Sequence, residues 1–161
     1  MRRRDAGITI VEILAAITII IILISILVPI AIRAGRYQKI MECQGHLHTM
    51  FEAQAKAPPS KVQEYGRGYW VRLTQTTPPA LTPDVLKCPF VEVEGAPFCQ
   101  YFGPGGDIVK LEAKDPIGCD MELSHSENGK QGGNLLLKSG EVVTDHTSLW
   151  ASTLQTGKCR P

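Results

Sequence analysis

From Ile8 to Ile32 the only side chains that are not plainly apolar are Thr9, Glu12, Thr18, Ser25 and Pro29. A run of that length reads as a membrane-crossing segment, and inside hydrocarbon the backbone satisfies its own N–H and C=O groups only as a helix. It is clearly longer than the roughly 7–15 residue apolar core of a cleaved secretory signal. Arg2, Arg3 and Arg4 precede it, which favours a cytoplasmic N-terminus, while Arg33, Arg36 and Lys39 flank its other end and weaken the charge asymmetry. Residues 8–32 are therefore expected to form a single membrane-spanning helix.

Glu12 is what a plain anchor does not explain. Insertion scales assign roughly 2.5–3.5 kcal/mol to an acidic residue at mid-bilayer, so such a carboxylate calls for a cation or a proton. No Lys or Arg lies between Gly7 and Arg33. A cut after Gly7 would create a new α-amino group on Ile8, available to the Glu12 of a neighbouring copy. Pro29 is the second anomaly: an interior proline removes the donor for the Ser25 carbonyl and costs about 3 kcal/mol in a helix.

The run Gly7-Ile8-Thr9-Ile10-Val11-Glu12 behind a short arginine-rich leader resembles the prepilin peptidase site of type IV pilins and type II secretion pseudopilins, with isoleucine where phenylalanine is usual. The resemblance implies cleavage between Gly7 and Ile8, N-methylation of Ile8, and subunit alignment through Glu12. It also implies that Pro29 marks where the helix bends or partly melts on assembly. The partners it implies are copies of the chain or related pilins, the prepilin peptidase and the inner-membrane assembly machinery.

Beyond the span, Tyr37, Ile40, Met41, Leu47, Phe51 and Ala55 recur at helical spacing, opposite Arg36, Lys39, Glu42, His46, Thr49, Glu52 and Lys56. This predicts an amphipathic continuation of the helix over 33–56, ended by Ala57-Pro58-Pro59. Most of the eleven prolines and fifteen glycines come after residue 56, which points to short strands and turns in a domain over 57–161. Strands are expected at Tyr69–Leu73, Phe98–Phe102, Asp107–Glu112, Asp120–Leu123, Asn134–Lys138 and Glu141–Thr144, with a tight link at Ser139-Gly140 and a helical turn over Ser148–Leu154.

A looser resemblance, to pseudopilin-like proteins, covers this domain: Cys119-Asp120 and His125, then Gly132-Gly133-Asn134-Leu135-Leu136-Leu137 and Gly140-Glu141-Val142. Ser139 stands where that group usually has aspartate. Cys43 and Leu86-Lys87-Cys88-Pro89 are similar to the same group. It implies a fold and names no ligand.

Five cysteines in a chain of 161 residues, none in a C-x-x-C pair, favour structural disulfides in an oxidising compartment over a zinc site. The odd number leaves at least one thiol free or paired between chains. Cys43, Cys88, Cys99, Cys119 and Cys159 allow many connectivities, among which the sequence does not choose. Cys88 with Cys119 is the preferred bond, with Cys159 holding the C-terminal tail in the other.

Candidates for chemistry are thin. His125 and His146 near Asp120 and Asp145 lack any H-x-x-x-H spacing, and Asp107, Glu112, Asp115 and Asp120 lack the ligand rhythm of a calcium loop. Gly103-Pro104-Gly105-Gly106 is not followed by the Lys and Ser/Thr of a phosphate loop and reads as a turn. His46 and His48 are taken as surface residues. No nucleophile with a recognisable base emerges, so neither an enzyme, a cofactor nor a metal site is expected. The net charge of +1, spread along the chain, gives no case for nucleic acid.

The expected fold is α+β and pilin-like: leader 1–7, transmembrane and filament-core helix 8–32, its continuation 33–56, and a small antiparallel sheet domain over 57–161. The expected role is a structural subunit of a type IV pilus-like or type II secretion pseudopilus filament. The subunit starts as a single-pass protein of the bacterial inner membrane and ends in a periplasmic or cell-surface filament. A minor pilin that binds a surface, DNA or a secreted substrate is one alternative, and a monomeric membrane-anchored periplasmic domain is another.

Overall fold

The computed structural model describes residues 9–57, 64–90, 98–120, 132–145 and 148–161. The chain is α+β. Helix α1 runs Ile10–Lys56 without a break and is followed by α2 (Arg67–Thr74) and a 3-10 turn at Pro83–Leu86. Then come β1 (Tyr101–Pro104), a 3-10 turn at Ile108–Lys110, β2 (Pro116–Asp120), β3 (Gly133–Leu137), β4 (Val142–Asp145), α3 (Ser148–Gln155) and β5 (Cys159–Arg160).

Two compact units divide the chain, Met1–Gln38 and Lys39–Pro161. In the first, the described side chains are exposed from Ile10 to Ile32. Thr18 and Ser25 turn their hydroxyls onto the helix, donating to the Leu14 carbonyl at 2.8 Å and the Ile22 carbonyl at 2.7 Å. Each hydroxyl is thereby satisfied within the segment. Proline at position 29 does not interrupt the helix.

The second unit is built on a five-stranded antiparallel sheet in the order β4-β3-β2-β1-β5. The end of α1 and α2 supply one core, in which Cys43, Leu47, Met50, Ala53, Trp70 and Leu73 pack with Leu86, Tyr101, Ile117 and Leu136. Cys119, Leu135 and Cys159, with Phe102 and Leu154 of α3, form a second cluster. Neighbours in a strand point to opposite faces, so Leu136 and Leu135 divide between the two clusters. A register shift between Pro116 and Gly118 accommodates Ile117 in the cluster of Leu136.

Several expectations shift. The buried stripe of α1 is Cys43, Leu47, Met50 and Ala53, whereas Tyr37, Met41 and Ala55 are exposed. The i, i+4, i+7 spacing of 43, 47 and 50 marks a face whose small and sulfur-bearing residues pack as well as leucine. Tyr69–Leu73 is helical, not a strand: Trp70 and Leu73, one turn apart, both enter the core, and this overrides the strand preference of a Tyr-Trp-Val run. Asp107–Glu112 contains a 3-10 turn, with Asp107 accepting from the Val109 N–H at 3.0 Å. The strand expected at Phe98–Phe102 begins at Tyr101, and the one expected at Asp120–Leu123 ends at Asp120, with 121–123 outside the described residues. The β3–β4 hairpin and α3 stand where the sequence places them, and Gly140 makes the turn at φ 90°. Strand β5 is additional.

Gly103 and Gly105 explain the glycine-rich segment. A Cβ on Gly103 would lie 1.9 Å from the Gly66 carbonyl oxygen, and one on Gly105 1.8 Å from that of Gly157. These glycines permit close backbone approach at the start of α2 and at the C-terminal tail.

Asp115 ties the segment before β2 to that tail. Its Oδ1 lies 2.7 Å from Lys158 Nζ, and its Oδ2 accepts from the Glu112 N–H at 2.8 Å. The Lys158 ammonium, followed by this N–H, holds the Asp115 carboxyl below the usual carboxylate range, and the bond to Asp115 holds Lys158 above the usual lysine value. A carboxyl depressed in the folded state stabilises it above the unfolded pKa of about 3.9, and that contribution is lost as pH falls through the folded value. The lysine contribution is full below about pH 10.4 and is lost as pH rises through its raised value. Asp115→Asn should therefore modestly lower the urea midpoint at pH 7, with the gap shrinking as the pH falls below the usual carboxylate range. An unchanged gap across that range would remove Asp115 from the pH dependence.

Candidate functional site

Two regions hold the residues singled out from the sequence: the start of α1 and the interior of the second unit. Gly7 and Ile8 lie outside the described residues. Just beyond them, Thr9 and Glu12 close a reciprocal capping arrangement. The Glu12 Oε2 accepts from the Thr9 N–H at 3.0 Å and from its Oγ1 at 2.9 Å, while the Glu12 N–H reaches Thr9 Oγ1 at 3.3 Å. This satisfies donors that the first turn of a helix leaves without intrahelical partners. The sequence reading missed it, although Thr-x-x-Glu ahead of an apolar run is its signature. Both oxygens of the local bond remain exposed, and among the described residues Glu12 has no salt bridge. The first cation along the helix, Arg33, is roughly 30 Å away at 1.5 Å per residue.

The segment that follows is apolar on every side. Ile10, Val11, Ile13 and Leu14, and onward to Ile30 and Ile32, are each about half or more exposed. A helix of this character is covered either by lipid or by other helices. By length and composition α1 is able to cross a membrane.

In the second unit the cysteines fall into groups that the sequence could not assign. Cys43 projects from α1 and its Sγ lies 3.0 Å from that of Cys88. Hydrogen bonds fix the segment carrying Cys88: Gln100 N–H donates to the Leu86 carbonyl at 2.8 Å, and Cys88 N–H to Gln100 Oε1 at 2.6 Å. His46 Nδ1 lies 3.0 Å from the Lys87 carbonyl and 3.1 Å from the Tyr101 hydroxyl. Since that carbonyl only accepts, the proton belongs on Nδ1, leaving the Tyr101 hydroxyl free to donate to Cys43 Sγ at 3.4 Å. His46 is thus half-buried and engaged, contrary to its expected place on the surface, while His48 is exposed as expected.

Cys119 of β2 and Cys159 of β5 pack in the same core cluster, and Cys99 donates to the Tyr101 carbonyl at 3.3 Å. Cys88 therefore meets Cys43, and the preferred pairing of Cys88 with Cys119 is not the arrangement found, because those two belong to different core clusters. The Cys88 contact and then burial push the Cys43 thiol up, and burial pushes up Cys99 and Cys119. Burial also raises the Tyr101 phenol. A reactive cysteine needs the opposite environment, an electropositive and partly exposed site that favours the thiolate.

A polar relay links α1 to the hairpin. Gln44 Nε2 donates to Thr144 Oγ1 at 2.6 Å, which donates to Asn134 Oδ1 at 2.6 Å, and the Asn134 N–H donates to buried Asp120 at 2.8 Å. Asp120 is thus committed to the interior, away from Asp107, Glu112 and Asp115, so these four carboxylates do not converge. Among the described residues no three His, Cys, Asp or Glu side chains are grouped to hold a metal ion. His125 and His146 lie outside the described residues, as does the side chain of Asp145. No protein-family model matches the chain, and comparisons with curated proteins and with solved structures find no match.

Proposed function

We propose that this chain is a structural, non-enzymatic subunit of a type IV pilus-like or type II secretion pseudopilus-like filament, cut after Gly7 and methylated on Ile8. Before assembly it sits in the bacterial inner membrane with the leader arginines in the cytoplasm and the sheet-bearing unit on the other side. On assembly the apolar segment leaves lipid for a bundle of like segments.

The observation that carries this reading is the division of labour along α1. Its second half gives Cys43, Leu47, Met50 and Ala53 to a core, while the first half buries none of its apolar side chains within the chain. Lipid and neighbouring helices are interchangeable covers for such a surface, as the passage from membrane to filament requires. The Gly7-to-Glu12 resemblance adds the cut site, and a new Ile8 amino group adds a cation of the kind Glu12 does not meet among the described residues.

The Thr9–Glu12 cap favours a second reading, a monomeric membrane-anchored domain, because it gives the acid a local purpose without any neighbour. Mass spectrometry of the membrane-isolated protein separates the two. The filament reading expects loss of residues 1–7 and one methyl group on Ile8, with Gly7→Ala accumulating as uncut precursor. A wild-type protein that keeps its leader, or a normally trimmed Gly7→Ala, defeats the filament reading.

A further inference from the structure

We propose that the folded protein carries two disulfides, Cys43–Cys88 and Cys119–Cys159, and that Cys99 remains its single thiol. The proposal rests on the preceding reading in one respect, that the sheet-bearing unit matures in an oxidising, extracytoplasmic compartment.

The five cysteines sort themselves by contact. Cys43 and Cys88 approach to 3.0 Å, inside the van der Waals separation of two sulfurs, and each is held from a separate direction: Cys43 by α1, Cys88 by the bonds through Gln100 and Lys87. Cys119 and Cys159 pack together in the second cluster from the two strands that flank β1, whose Phe102 pairs with Cys119 and whose Pro104 pairs with Cys159. Cys99 turns its thiol to the Tyr101 carbonyl. No residue is shared between the two pairs, so both bonds can form at once.

Each bond removes two protons and two electrons from a pair of thiols, and a protein disulfide of the thiol–disulfide oxidoreductase class accepts the electrons. One thiolate attacks that disulfide to form a mixed disulfide, and its partner thiolate then attacks the bound sulfur and releases the oxidant as a dithiol. Burial of all five side chains disfavours the thiolate in the finished fold. Exchange therefore takes place during folding, and the completed bonds are shielded from reductants. Their architecture is complementary: Cys43–Cys88 staples α1 to the segment before β1, and Cys119–Cys159 staples the C-terminal tail to the sheet.

The test is peptide mapping of full-length protein taken from membranes, quenched with N-ethylmaleimide and digested without reduction. The expected result is the two named cross-links and alkylation at Cys99 alone. Native protein in detergent should also be reduced by dithiothreitol at least about tenfold more slowly than protein in denaturant. Cys43→Ser should add alkylation at Cys88 while preserving Cys119–Cys159. Reduced thiols at either pair in the wild type, or a cross-link from Cys88 to Cys119, overturns the proposal, whatever the fate of the variant. The same spectra report the N-terminus separately: a trimmed chain with free thiols sinks the disulfides but not the filament, and a cross-linked chain with its leader does the reverse.

Discussion

Replacing Trp70 with alanine is expected to destabilise the sheet-bearing unit by about 3–5 kcal/mol, a large part of what holds a domain of this size together. Trp70 is fully buried, and its Nε1 donates to the Phe102 carbonyl at 3.0 Å. The indole fits where the sheet offers no side chain: a Cβ on Gly118 would lie 3.0 Å from its Cζ2, and one on Gly103 3.2 Å from Nε1. Truncation leaves a cavity bounded by backbone, which has little freedom to collapse, and removes the donor from a carbonyl. For a domain near 100 residues this lowers the melting temperature by more than about 10 °C. Far-ultraviolet circular dichroism of the full chain in detergent reads it, and a fall of only a degree or two would show that Trp70 does not anchor this core. Trp70→Phe should fall between the two, since it fills part of the space and lacks the donor.

Glu12→Gln is expected to abolish most filament assembly while leaving cleavage and the helix start intact. Glutamine serves in a Thr-x-x-Glu/Gln cap as glutamate does, so the substitution retains the local bonds to Thr9 and removes only the charge. If the carboxylate pairs with the Ile8 amino group of a neighbour in a water-poor filament core, losing it costs about 2 kcal/mol or more per contact, roughly a thirtyfold drop in association. Glu12→Ala should also be trimmed and fail to assemble, with the first turn weakened besides. Filament yield measured by shearing and sedimentation distinguishes the accounts. Undiminished filaments from Glu12→Gln would mean that the acid serves only to begin the helix and does not pair one subunit with the next.

Patterns that depend on neighbouring residues were legible along the chain. The apolar run and the Pro58-Pro59 stop delimit α1, and Ser139-Gly140 between two hydrophobic runs locates the β3–β4 hairpin. The Thr9–Glu12 cap is equally local, carried by Thr-x-x-Glu ahead of an apolar run. Tyr69–Leu73 departs from its local preference for a different reason: strand preference describes fit to a half-buried pleated surface, and here Trp70 and Leu73, one turn apart, both enter the core.

What the amino-acid order alone determined is a membrane-length helix with an acid near its start, an amphipathic continuation and a turn-rich sheet domain. Such features follow from backbone hydrogen bonding and from the spacing of apolar residues. Only the tertiary structure decided which face of α1 is buried, that Trp70 lies on a helix, that Cys43 meets Cys88, and that Gly103 and Gly105 serve close backbone contacts. Those outcomes depend on residues far apart in the chain, and long-range proximity is set by how the elements fill a common core.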